Sequence, residues 1–161
     1  MKDFIEIPLT RGLKTKVSPE DYPYLSQFKW CALRRHKGFS AARGVFNKKT
    51  KKVKTILMHR QIMNFPKGMQ IDHINLDPLD NNRKNLRVCT NKDNCRNKLV
   101  RSDSVSKIKG IRKRHGRWAA AIFYNNRQKW LGTFDKKADA IITYNNAAIK
   151  YFGEFARINT I

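Results

Sequence analysis

Carboxylates are scarce in this chain. Its 161 residues include 35 lysines and arginines but only 12 aspartates and glutamates, a formal charge of +23. That imbalance argues against a generic cytosolic enzyme and calls for an anionic partner, either nucleic acid or an anionic membrane surface. Cysteine is scarce too. Cys31, Cys89 and Cys95 are odd in number and form no CxxC pair, which disfavours a disulfide framework or a zinc knuckle and suits idle thiols in a reducing compartment. No apolar run reaches the roughly 18 residues of a membrane-spanning helix. Nor is there a long basic amphipathic helix of the kind that lies on lipid. Acidic residues interrupt the stretch from Met1 to Glu6, where a secretory signal needs continuous apolar sequence, so a cytoplasmic location is expected. What the chain does have is 40% hydrophobic and 11% aromatic residues, enough for packed cores, in a length that fits one ordinary domain or two small ones.

The charge is distributed unevenly. Residues 1–64 carry 15 basic and 4 acidic residues, residues 65–103 carry 8 and 5, and residues 104–161 carry 12 and 3. Two basic ends thus flank a nearly balanced middle. Beside phosphates, carboxylates are tolerated chiefly where a cation bridges the two, so the middle is where chemistry is expected.

Short strands are predicted at 4–8 and 14–17 around the turn Thr10-Arg11-Gly12. Ser18 as N-cap, Pro19 in the first turn and acidic Glu20 and Asp21 predict a short helix to about Gln27. A meander follows at 29–34, 39–45 and 52–57, with the basic turn 47–52 as a candidate phosphate contact. A short helix is expected at 58–63. Residues 69–98 are polar, asparagine-rich and poorly periodic, which predicts a loop-dominated segment held by side-chain hydrogen bonds, with 69–74 as a strand entering a turn. Residues 99–106 read as a linker. Beyond them, strands at 110–114, 117–124 and 128–133 precede a helix capped by Asp135 and stopped by Gly153. On that helix Ala140, Tyr144, Ala147, Ala148 and Tyr151 share one face. In the second of these strands, alternation sends Trp118, Ala120 and Ile122 towards the helix and Arg117, Ala119, Ala121 and Phe123 outward.

In the middle segment Asp72 and His73 are adjacent, Asn85 follows in Asn85-Leu86-Arg87, and Asn94 in Asn94-Cys95-Arg96-Asn97. Phosphodiester hydrolysis needs a base for water and a hard cation for the developing negative charge. Imidazole suits the first role, and carboxylate and amide oxygens suit the second. The run Asp72-His73-Ile74-Asn75, Leu79-Asp80-Asn81, Asn85-Leu86-Arg87 and Asn94-Cys95-Arg96-Asn97 resembles the HNH endonucleases, specifically the phage-type homing enzymes with Asn at the third motif position. Upstream, Ile7-Pro8-Leu9-Thr10, Lys29-Trp30 and Met58-His59-Arg60 resemble the N-terminal part of the same group. The resemblance implies an α+β fold with a ββα-metal module in residues 1–98, its metal core at about 55–98. It implies His73 as general base, Asp72 and Asn94 as ligands of one Mg²⁺ or Mn²⁺, and Asn85 as the residue that fixes the loop and orients His73. Asn97 stays open as an alternative ligand. Arg87 and Arg83 are expected on backbone phosphate.

Residues 107–161 read as three antiparallel strands packed on one helix. Lys109-Gly110-Ile111-Arg112, Arg117-Trp118-Ala119-Ala120, Trp130-Leu131-Gly132-Thr133-Phe134, Gly153 and Asn159 resemble the APETALA / ethylene-response-factor DNA-binding domain. That resemblance implies a sheet reading duplex DNA through Lys109, Arg112, Arg114, Arg117 and Trp130. Ala121 and Phe123 depart from the plant pattern, so plant target preference does not transfer. The combined expectation is a homing-type, metal-dependent DNA endonuclease of a phage or mobile element, nicking as a monomer, with duplex DNA as partner, no membrane and no small-molecule cofactor. The alternative is a non-catalytic DNA-binding regulator on a decayed nuclease scaffold.

Overall fold

The computed structural model describes residues 3–36, 38–100 and 104–161. The chain divides into two compact units, Met1–Asn91 and Lys92–Ile161. Residues 101–103 of the expected linker lie outside the described residues.

In the first unit β1 (Ile5–Pro8) and β2 (Lys14–Val17) pair antiparallel across a tight turn in which Arg11 and Gly12 take positive φ, 66° and 67°. Alternation along β2 buries Thr15 and Val17 completely. The short helix α1 (Tyr22–Leu25) leads into an antiparallel meander of β3 (Cys31–Arg35), β4 (Gly38–Asn47) and β5 (Lys52–Leu57), followed by α2 (Met58–Ile62). Val17, Leu25, Trp30, Met58, Ile71 and Leu86 belong to one apolar core shared by these elements. Trp30 satisfies its indole by donating Nε1–H to the Leu25 carbonyl at 2.9 Å. The outer half of the β4–β5 hairpin is uncovered, leaving Phe46 and Val53 exposed as a cross-strand pair among lysines.

The helix expected from Ser18 begins later, at Tyr22, with Pro23 in its first turn. The Ser18 hydroxyl is used elsewhere. It accepts the Arg83 N–H at 2.9 Å and donates to Asn82 Oδ1 at 3.2 Å. A distant turn with a backbone donor to satisfy displaced the local cap.

The asparagine-rich segment is more regular than its polarity suggests. β6 (Gln70–His73) and β8 (Leu86–Cys89) form an antiparallel ladder, and β7 (Asp80–Asn81) joins β2 in parallel, Asn81 opposite Val17. Helix α3 (Asn91–Asn97) comes next in the chain.

In the second unit β9 (Ile111–Arg114), β10 (Arg117–Tyr124) and β11 (Arg127–Phe134) form an antiparallel sheet in the order β11-β10-β9, and α4 (Lys137–Phe152) packs on it. Ile111, Ala120, Ile122, Ala140, Ile141, Tyr144 and Ala148 make the core. Ile141 adds to the expected helix face. Gly110 is fixed by space: with φ at 72°, a Cβ there would lie 2.0 Å from the Tyr144 ring and 2.6 Å from the Ala121 carbonyl oxygen. Asp135 does not cap α4. The N-cap is Lys136 and makes no side-chain bond, while Asp135 takes the Arg117 guanidinium at 2.6 and 3.3 Å, a two-point charged pair that outcompetes a single cap. Ala119 lies outward in register between Arg112 and Thr133 yet is buried, because its methyl group is far shorter than those neighbours.

The architecture is a mixed α+β one of several small sheets and few helices. Among the described residues no helix is long and apolar enough to cross a membrane.

Candidate active site and nucleic-acid surface

His73 closes β6, opposite Leu86 of β8. Its Nε2 lies 3.2 Å from Oδ1 of Asn81, and its ring meets that of His59 edge to face at a centroid distance of 5.1 Å. Burial lowers the His73 pKa below the ordinary imidazole value, and the hydrogen bond to Asn81 and the charges of Asp72, Asp77 and Asp80 oppose that shift. His59 is pushed further, to about 3, first by burial and then by His73, Arg60 and Arg35. Near neutral pH His59 therefore packs as an uncharged wall beside His73.

Asn85 holds the loop between β6 and β8. Its Oδ1 accepts the Asn75 N–H at 2.9 Å, and its Nδ2 donates to Asn75 Oδ1 at 2.9 Å and to the Asp80 carbonyl at 2.8 Å. Its backbone carbonyl accepts the Ile74 N–H at 2.9 Å. All these bonds go to residues 74–80, so Asn85 reaches His73 through the chain it pins. The amide side chain that hydrogen-bonds the imidazole is Asn81. Asn81 belongs to the quoted motif, but no role attaches to it in the sequence, because its second partner, Thr15, lies 66 residues away.

Asp72 and Arg87 face each other across β6 and β8. Arg87 Nε and NH2 both reach Asp72 Oδ2, at 3.0 and 2.7 Å, and the two side chains are only 10% and 4% exposed. Arg87 was expected on phosphate. Its guanidinium is largely covered and pairs with Asp72, which unpaired in this strand pair would be a costly isolated charge.

Among the described residues no three His, Cys, Asp or Glu side chains gather as a metal-holding group. A buried carboxylate with amide oxygens nearby in sequence still suits a hard cation, which binds through one or two protein oxygens and retains water. Asn94 lies on α3 and belongs to the second unit, as does Asn97, which is buried.

On the C-terminal sheet, Arg112 pairs with Ala119, Arg114 with Arg117, Trp130 with Ala121 and Gln128 with Phe123. These pairings put Arg112, Arg114, Arg117, Phe123 and Trp130 on the face away from α4. Trp130 and Phe123 are 50% and 66% exposed. The Arg112 guanidinium lies 6.0 Å from the Trp130 ring centroid. Arg114 directly opposite Arg117 is a like-charge pair that costs stability in the free protein and is eased by Asp135. A polyanion would remove that cost.

Lys109 departs from the expected set. Its ammonium donates to the carbonyls of Arg96 and, at 2.8 Å, Lys98, closing the end of α3, and burial with Arg157 nearby lowers its pKa to about 8. Four of the five expected side chains thus share the exposed face, and the fifth turns inward.

Residues 64–96, which contain Asp72, His73, Asn85 and Asn94, match the family model described as HNH endonuclease. Over 153 residues, 94% of this chain and 77% of the relative, the sequence is 27% identical to an uncharacterized HNH endonuclease of Acanthamoeba polyphaga mimivirus. Over 54 residues it is 44% identical to dehydration-responsive element-binding protein 2D of Arabidopsis thaliana, covering 32% of this chain and 26% of that protein. Over 56 residues it is 43% identical to an AP2-like ethylene-responsive transcription factor of the same plant, covering 32% of this chain and 16% of that protein. These two partial matches support a DNA-binding region. The match over residues 64–96 and the viral relative give the chain an HNH endonuclease domain, and its enzyme class is that of a nuclease.

Proposed function

We propose that this nuclease is a metal-dependent DNA endonuclease of homing type, in which His73 is the general base and the exposed face of the C-terminal sheet holds the duplex. The observation that carries the reading is His73 itself. It is a half-buried imidazole at the end of β6, next to Asp72, seated on the buried amide of Asn81 and packed against an uncharged His59. A base so placed takes a proton from water attacking a phosphodiester, a role worth about 10²–10⁴ in rate. Asn85 keeps the loop 74–80 closed around it.

Asp72 and Asn94 would hold a Mg²⁺ or Mn²⁺ ion, which supplies charge neutralisation at the phosphate and the leaving 3′ oxygen. In this reading Arg87 aims the Asp72 carboxylate and is withdrawn from phosphate contact. Arg112, Arg114, Arg117 and Trp130 face the groove, as a sheet can in duplex DNA. In the first unit the basic turn 47–52 grips phosphate. One base per chain makes a nick the product of a single copy.

A second reading rests on one observation, the tight Asp72–Arg87 pair, which is what a regulator with a silenced site would also hold. Supercoiled plasmid with Mg²⁺, with and without EDTA, separates the two. Metal-dependent open circle supports a nicking enzyme, and linear product means paired cuts. Binding without any metal-dependent product supports the regulator.

A further inference from the structure

We propose that Asn81, anchored by Thr15, is the positioning residue that fixes the ring orientation and tautomer of His73, with the proton on Nε2 and the basic lone pair on Nδ1. The catalytic use of this device rests on His73 being the base. The geometric claim does not.

The inference follows from hydrogen counting. Thr15 Oγ1 lies 2.7 Å from the Leu79 carbonyl oxygen and 4.0 Å from the Met58 sulfur. Its single hydrogen goes to the carbonyl, because oxygen at that distance is by far the better acceptor. What Thr15 offers Asn81 at 2.7 Å is therefore a lone pair, and Asn81 must present Nδ2 there. The second Nδ2 hydrogen points to the Pro78 carbonyl at 3.5 Å. The amide cannot flip without setting a carbonyl oxygen against the Thr15 and Pro78 oxygens, so Oδ1 faces His73. An acceptor at 3.2 Å demands a donor, and a neutral imidazole supplies it only as Nε2–H.

The anchor is rigid. Thr15 and Asn81 are both fully buried, and the parallel pairing of β2 with β7, together with Lys16 N–H to the Leu79 carbonyl at 2.9 Å, locks their spacing. The N-terminal hairpin thereby reaches the chemistry through one hydroxyl.

The test uses the full chain with ¹⁵N-labelled histidine at pH 8, where an ordinary imidazole is neutral, with His73 resonances assigned by comparison with His73→Gln. Long-range ¹H–¹⁵N correlation should show Nε2–H for His73 in the wild type. Thr15→Val keeps shape and burial but removes the lone pair. It should give a mixture of tautomers and at least a tenfold fall in single-turnover cutting, with DNA affinity unchanged. Thr15→Ser should restore both readouts. Asn81→Ala should behave as Thr15→Val, and because Thr15→Val leaves Asn81 in place, a folding failure of Asn81→Ala alone leaves the test intact. An Nδ1–H tautomer in the wild type, or a tautomer unmoved by Thr15→Val, overturns the proposal. If the tautomer responds as stated while the wild type cuts no DNA, the positioning claim stands and the nuclease use of His73 falls.

Discussion

In the loop between β6 and β8, the amides of Asn75 and Asn85 bond each other and the chain around them, while the amide of Asn81, in contact with His73, is fully buried and held by Thr15. On the C-terminal sheet, Arg112, Arg114, Phe123 and Trp130 stand exposed, and the charge pair nearest them, Arg117 with Asp135, lies largely in water. The first region has finished its polar bookkeeping within the protein, whereas the second leaves cationic and aromatic groups at the surface. Fully satisfied buried networks fix one geometry. Exposed arginines pay little for solvation and gain by meeting phosphates or base edges. On the proposed reading, one region holds an imidazole still and the other meets a partner.

The sharpest way to break this contrast is at the imidazole. His73→Ala should lower plasmid cutting by about 10²–10⁴-fold, with mobility-shift affinity for duplex DNA near that of the wild type. If cutting persists, the base lies elsewhere. Next comes Asn85→Ala. It removes the side-chain bonds to Asn75 and Asp80, worth on the order of 1 kcal/mol each, so chemical denaturation should show lower stability and cutting should fall with it.

On the open sheet the expected loss is in binding alone. Arg112→Ala and Arg114→Ala should each weaken duplex binding and, where the side chain meets phosphate, lower the slope of log affinity against log salt by about 0.9. Lys109→Met should leave that slope unchanged, because the ammonium is turned to the carbonyls of Arg96 and Lys98. A slope that falls with Lys109→Met would return this lysine to the DNA surface.

The smallest effect concerns acid stability. His59 titrates at about 3 in the folded chain and near 6.5 when unfolded. Between those values the unfolded chain binds more protons, so stability drops as pH falls from about 6.5 towards 3, and the group gives no slope above that window. His59→Phe, which cannot charge, should flatten this part of the melting-temperature profile between pH 4.5 and 7.

Some of this was legible in the residues themselves. The strands near 4–8, 14–17, 52–57 and 117–124 follow from alternation and turn chemistry, and α4 from its apolar stripe and Gly153, whose φ is 53°. Asp72 and His73 stood out because their adjacency carries a chemical meaning. Caps read less well. Ser18 and Asp135 have the right types and places, but each found a stronger partner, in the turn at Asn82 and Arg83 and in Arg117. Arg87 reads as a phosphate contact until its register partner is known to be Asp72.

Sequence alone determined the charge of +23, its concentration at the two ends, the scarcity of cysteine, and a motif that resembles the HNH endonucleases, followed along the chain by a basic strand-rich segment. Local spacing encodes these, and they survive without any fold. Tertiary structure alone decided that Arg87 serves Asp72, that Lys109 turns inward, and that Asn81 rather than Asn85 touches His73. Each depends on which elements meet, as when β2 pairs with β7 and brings Thr15 to Asn81 across 66 residues. Pairing between distant strands is set by the burial of whole faces, and no spacing along the chain records it.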